Sequence, residues 1–231
     1  MRARSFQAIQ QAVVRCARCP ELRAYCAQVA CEKKRAYRDW EYWGRPVPAF
    51  GDGNARVALV GLAPGAHGSN RTGRMFTGDS SGDFLYPALH RAGFANRPFA
   101  LSREDGVELS DCTITAALRC APPGNKPSPA QLRRCFPYLV EELRVMERLQ
   151  VVVGLGAIGT KAALRALREL DFSFERRVWK FGHGAELHAR RGERAIAVIA
   201  SFHPSRQNTN TGKLTRDMFD DIFTRARSLL S

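Results

Sequence analysis

The chain has 231 residues, 45% of them hydrophobic and 9% aromatic, a length and composition that fit one domain around a sizeable core. No apolar run reaches the roughly 18 residues of a membrane span, and Met1-Arg-Ala-Arg-Ser-Phe6 lacks the apolar stretch of a signal peptide, so a membrane partner is excluded and a cytoplasmic location expected. Lys and Arg number 36 against 22 Asp and Glu, a formal charge of +14; such a field attracts a polyanion, which makes nucleic acid the expected partner and an inert basic surface the alternative.

Residues 6 to 42 carry apolar and basic residues at helical spacing, broken by Pro20, and run into the extended stretch Trp40 to Phe50. Val57-Ala-Leu-Val60 reads as a strand stopping at Gly61-Leu-Ala-Pro-Gly65, and Gly82 to Arg91 as a helix after a polar, Gly-rich loop. Thr113 to Leu118 is a second strand. Past Pro122 to Pro127 a helix capped by Ser128, with Pro129 in its first turn, is expected to run to about Leu149. Val151 to Val153 is a third strand, followed by a glycine turn and a helix from Lys161 to Leu170. Ala195 to Ala200 is a fourth strand, and Leu214 to Leu230 the last helix. Strands alternating with helices predict an α/β fold, a parallel sheet covered on both faces, with sites in the loops after Gly61, Cys120, Gly154 and Ser201.

Seven cysteines in a reducing compartment favour metal ligation or plain burial over disulfides. Cys16 and Cys19 form one closely spaced pair, and Cys120 and Cys135 a second. Four thiolates suit either an iron–sulfur cluster or tetrahedral zinc, and spacing alone leaves Cys26 or Cys31 free to replace one of them. Gly154-Leu-Gly-Ala-Ile-Gly159 matches the dinucleotide-binding fingerprint. No strand is evident ending at the acid Glu175, about 20 residues on, where that motif needs one. The favoured reading is therefore a tight strand-to-helix turn with close packing, and a nucleotide-dependent oxidoreductase is the alternative. A non-catalytic, metal-stabilised DNA-binding module is a third possibility.

The segments Gly61-Leu-Ala-Pro-Gly-Ala-His-Gly-Ser-Asn-Arg-Thr-Gly-Arg-Met-Phe-Thr-Gly-Asp79 and Ser201-Phe-His-Pro-Ser-Arg-Gln-Asn-Thr-Asn-Thr-Gly212 resemble the two signature motifs of uracil-DNA glycosylases. With Trp43 to Asp52, Arg119 to Pro127 and the four cysteines, the chain most resembles family 5, the iron–sulfur type, over nearly its whole length. The resemblance implies a three-layer αβα sandwich with a central four-stranded parallel sheet. It implies a single domain over 1–231, in which 1–50 carry two cluster cysteines and 51–231 form the core. It further implies a structural [4Fe-4S] cluster on Cys16, Cys19, Cys120 and Cys135, and a monomer acting on DNA that holds uracil or other deaminated bases such as hypoxanthine and xanthine.

Glycosidic cleavage requires the target base to leave the stack, and Phe76, in a polar loop, is the candidate platform for it. Charge develops on both base and sugar. By resemblance His203 bonds the uracil O2, while Asp79, assisted by Asn125, serves water and sugar cation, and the backbone at Gly61, Ala63 and Gly65 shapes the floor. Ser205, Arg206 and Gln207 occupy the position of a loop that presses into DNA. No lysine in the motifs suits a Schiff base, so the reaction is expected to stop at the abasic site. The chain departs from its relatives in three places. Leu62-Ala63 replaces the polar residue of many first motifs, Ala116 stands where family 4 reads the uracil edge with Asn, and Pro204 follows the histidine where family 5 often has Val. The second departure predicts a looser pocket.

Overall fold

Four apolar runs build the centre of the molecule, which a computed structural model describes for residues 5–175 and 179–230. The strands are β1 (Phe50–Gly51), β2 (Val57–Gly61), β3 (Cys112–Ala116), β4 (Val151–Leu155), β5 (Ser173–Phe174), β6 (Glu186–Arg191) and β7 (Arg194–Ser201), in the order β1-β3-β2-β4-β7-β6-β5. β3, β2, β4 and β7 run parallel, and every residue of β2, β3 and β4 is buried. That is the burial expected of strands covered on both faces. The expected four-stranded parallel core is therefore present, extended at both edges by antiparallel strands.

The helices are α1 (Phe6–Val14), α2 (Pro20–Glu32), α3 (Ser69–Thr72), α4 (Ser80–Arg91), α5 (Pro129–Val145), α6 (Gly156–Glu169), α7 (Arg206–Asn210) and α8 (Arg216–Ser228). Side chains alternate along β2: Val57 and Leu59 join the core beneath α4 and α8 with Leu85, Leu89, Phe219 and Phe223, while Ala58 and Val60 join Leu139, Leu143, Leu164 and Leu167 of α5 and α6. The outcome is the expected three-layer sandwich. A third cluster packs α1 and α2 on α5 and the segment after β3 through Ile9, Leu22, Leu118 and Tyr138. Among the described residues no helix is long and apolar enough to cross a membrane.

Several boundaries differ from the sequence reading. Pro20 opens α2 at its first position rather than merely ending α1, the site where its missing N–H costs nothing. Ser128 caps α5, as expected, in a box made reciprocal by Gln131, but the helix ends at Val145 rather than Leu149. α6 starts at Gly156, not Lys161, because β4 passes straight into it. A strand, β5, does precede Glu175, but it is a two-residue antiparallel edge piece, and Glu175 is exposed and ion-paired with Arg190 at 3.7 Å. Arg176 and Arg177 of that stretch lie outside the described residues.

Candidate active site and cysteine cavity

Three of the four parallel strands end in loops that converge on one cavity of about 970 Å³. Leu62 to Asp83 arrive from β2, Pro122 to Asn125 from β3, and His203 to Gln207 from β7. The sequence-predicted Ala63, Gly65, Phe76, Asp79, Asn125, His203, Ser205, Arg206 and Gln207 all line it. Gly61 and Ala116 do not. They face each other across the β2–β3 pairing, and a Cβ on Gly61 would lie 2.9 Å from the Phe76 ring, so this pair lies beneath the wall rather than on it.

Phe76 is 8% exposed and has φ +52, a backbone state costly for a bulky residue. Its N–H donates to Ser69 Oγ at 3.0 Å, and Gly82 lies so close to its carbonyl that a Cβ there would sit 1.9 Å away. The strain is held by packing on both sides. Its ring centroid is 5.9 Å from that of His203 at a 31° tilt, so the two rings are neighbours on the lining.

Burial pushes the half-buried His203 imidazole down to about 4, which keeps it neutral at ordinary pH, with one ring N–H to donate. Asn208 Nδ2 donates to the His203 carbonyl at 2.9 Å, and Ser205 Oγ accepts from the Asn208 N–H as the N-cap of α7. α7 is thereby clipped to the histidine's backbone. Ser205 thus spends its hydroxyl on the cap, while Arg206 and Gln207 are exposed on the rim.

Asp79 is the N-cap of α4: its Oδ1 accepts from the Ser81 and Gly82 N–H groups at 3.0 and 3.1 Å. Its Oδ2 lies against the loop after β2, where a Cβ on Gly68 would be 1.9 Å away. The carboxylate is thus both a cap and a cavity group, two roles that sequence reasoning set against each other. Burial raises its pKa, opposed by the two amides. Asn125, at φ +56 in a one-turn 3₁₀ helix, is exposed on the rim.

The Gly154 loop contributes nothing to the lining. A Cβ on Gly159 would meet the Val60 carbonyl at 2.2 Å, one on Gly154 would meet Thr160, and Gly156, at φ +83, lies under His203. These glycines let α6 sit directly on β2 and seat the histidine, the packing role expected of them. Residues given no role by the sequence also line the cavity: Tyr25, Lys34 and Tyr37 of the N-terminal region, outside the motifs, and His67, within the first motif, whose Nδ1 is 3.1 Å from the Tyr42 hydroxyl. Only the basic run Lys33-Lys34-Arg35 signalled them.

Cys16, Cys19, Cys120 and Cys135 line a second, small cavity with Arg18, Arg23, Arg119 and Arg134. Cys16 follows α1, Cys19 caps α2, Cys120 follows β3 and Cys135 lies in α5, so the cavity ties the N-terminal helices to the sandwich. Burial raises the Cys135 thiol to about 11, and the Arg119 guanidinium opposes the rise. Cys31 is exposed and Cys112 buried in β3, both away from the lining; Cys26 stands outside it too, beside Cys120, with its Sγ 3.7 Å from the Ala121 carbonyl. Among the described residues no three His, Cys, Asp or Glu are grouped to hold one metal ion.

The model of the uracil DNA glycosylase superfamily matches residues 48–227. The chain is 46% identical over 223 residues to a type-5 uracil-DNA glycosylase of Thermus thermophilus, covering 96% of this chain and 97% of that protein. It is also 46% identical over 215 residues to the Mycobacterium tuberculosis type-5 enzyme, covering 93% and 78%. A type-4 enzyme of Archaeoglobus fulgidus is 32% identical over 160 residues, covering 69% and 70%.

Proposed function

The chain belongs to the uracil-DNA glycosylase superfamily, and from that premise we propose a mechanism in which His203, Asp79 and Phe76 carry out its uracil excision from DNA. The observation that carries the proposal is their convergence, from the loop after β2 and the loop after β7, on one cavity at the strand ends.

A base flipped out of the duplex stacks on Phe76, and its edge meets His203, whose ring is the neighbour of Phe76 in the cavity. The neutral imidazole donates to the base oxygen as negative charge collects there; such a donor is worth about 10²–10³ in rate. Asp79 presents its cavity-side oxygen to the sugar cation and the attacking water while Oδ1 stays fixed by the α4 amides. Asn125, on the rim, assists that water, and the backbone at Ala63 and Gly65 forms the floor above Gly61. Arg206 and Gln207 press on the duplex where the base has left, held by the Ser205 cap, and Lys34 meets phosphate at the opposite rim. Among the described residues Lys34 is the lysine that lines the cavity, and it is exposed, not desolvated as a Schiff-base amine would be, so the product is an abasic site.

Ala116 offers no side-chain test of the uracil edge, and on this basis the pocket also accepts hypoxanthine and xanthine. The four cysteines bind a structural [4Fe-4S] cluster. Their chemistry, their shared cavity and the surrounding arginines suit such a group, which would cross-link α1 and α2 to β3 and α5 without taking part in hydrolysis. The whole chain is read as one domain, monomeric and cytoplasmic.

A labelled duplex with one uracil opposite guanine, incubated with enzyme and treated with alkali, tests the mechanism. Alkali-dependent cutting is expected, reduced about 10²–10³-fold in His203→Ala. Unchanged cutting in that variant removes His203 from the chemistry, and cutting without alkali removes the abasic end point.

A further inference from the structure

Among the described residues six buried side-chain nitrogen and oxygen atoms lack a hydrogen-bond partner. Three of them, Arg23 Nη1, Arg119 Nε and Arg119 Nη1, belong to residues that line the cysteine cavity. Arg119 is 2% exposed and is one of the largest fully buried side chains. Only its Nη2 is engaged, by Glu142 Oε2, which also accepts from Thr115 Oγ1 at 2.7 Å, while Glu142 Oε1 accepts from Gln10 Nε2 at 2.9 Å. Glu142 is thus held in a satisfied network that fixes one edge of the guanidinium and leaves the rest with nothing to bond. A buried cation keeps donors unpaired only at considerable cost, so the cavity is built for an acceptor that is also an anion.

An iron–sulfur core held by thiolates meets both conditions: it is a net anion, and its sulfides and thiolate sulfurs accept hydrogen bonds. We propose that Arg119 and Arg23 are the positioning residues of the cluster, donating their unpaired N–H groups to its sulfur atoms and balancing its charge, with Glu142 orienting Arg119. The proposal rests on the reading of Cys16, Cys19, Cys120 and Cys135 as cluster ligands. It gives the cluster a second tie to the sandwich, because the Arg119 carbonyl accepts from the Val47 N–H at 2.7 Å and its side chain reaches α5 through Glu142.

The test uses the purified full chain. Iron and acid-labile sulfide, the rate of iron release to a chelator, and the cluster's reduction potential are measured in wild type, Arg23→Met, Arg23→Lys and the double variant Arg119→Met/Glu142→Gln, which leaves no unpaired buried carboxylate. Loss of an outer-shell partner is expected to speed iron release about 10-fold or more and to shift the potential to more negative values, because removing a nearby cation disfavours the reduced, more anionic state. Arg23→Lys is expected to keep most of the wild-type potential. A merely structural arginine would leave the potential where it was, and wild-type potential and release rate in Arg23→Met and the double variant overturn the proposal while the cluster stands. Wild-type protein without acid-labile sulfide overturns the cluster reading itself, and this proposal with it. If the double variant does not fold, Arg23→Met alone decides.

Discussion

Asp79 combines a structural contact with the chemistry proposed for it on different oxygens: Oδ1 caps α4, and Oδ2 lies against the loop after β2. Asn caps helices about as well as Asp, so Asp79→Asn keeps the α4 cap while removing a carboxylate whose ionisation burial opposes. The expected result is a melting temperature equal to or above wild type with activity reduced about 10²–10⁴-fold; calorimetry and the alkali assay read the two separately. Asp79→Ala loses the cap as well, at about 1 kcal/mol. The pH dependence follows from the same shift. A carboxyl whose folded pKa is raised keeps its full stabilising effect below the unfolded value and loses it as pH rises through the folded one, so this site opposes stability at neutral pH. Activity that needs the carboxylate falls as pH drops through the raised pKa, whereas His203 stays neutral down to about 4. The acid limb of kcat/KM is therefore expected above the ordinary aspartate range and is expected to vanish from the residual activity of Asp79→Asn; a limb that persists in that variant would mean that another group, such as His203, titrates instead.

At the scale of elements, α6 and α7 matter because they seat His203 from two sides. Gly159→Ala drives a Cβ to 2.2 Å from the Val60 carbonyl, a backbone neighbour that cannot swing away. Overpacking of this kind costs about 1–3 kcal/mol and should also lower activity by pushing α6 off β2, while adding or removing a nicotinamide should change nothing. Chemical denaturation of this variant checks the cost, and a wild-type midpoint would mean that the close approach is absent in solution. On the other side, Ser205→Ala leaves the Asn208 N–H without its cap. It is expected to weaken lesion binding by loosening Arg206 and Gln207, with the rate of bound substrate little changed, as single-turnover kinetics would reveal.

Over the whole molecule, the charge of +14 predicts steep salt dependence of DNA binding, with log K falling by about 0.9 per phosphate neutralised for each unit of log salt. Arg206→Ala decides that residue's role. If it binds phosphate, the slope flattens by about 1; if it fills the gap left by the flipped base, the slope stays and only preference for lesion-bearing DNA drops. If the four cysteines hold the cluster proposed for them, a chelator is expected to detach α1 and α2 from α5, seen as increased proteolysis before Phe50, and activity in the intact protein should not depend on the cluster's redox state.

The sequence by itself determined the layer architecture, because unbroken apolar runs such as Val151 to Val153 alternating with amphipathic helices leave few other ways to bury both faces of a sheet. Its strand ends marked four candidate loops, and its resemblance to the glycosylase motifs singled out the two that carry Asp79, Phe76 and His203. It left β6 unread, because Glu-Leu-His-Ala-Arg-Arg is half-exposed and charged and becomes a strand only by pairing with β7 across the Gly192 turn. It did not decide between cap and catalytic group at Asp79, since one oxygen meets the first turn of α4 and the other meets Gly68, a neighbour that only the folding back of the preceding loop supplies. Nor did it disclose Tyr25, Lys34 and Tyr37 in the cavity, or Arg119 and Arg23 around the cysteines. Those groupings join residues far apart in the chain, and only the docking of α1 and α2 onto the sandwich brings them within reach of one another.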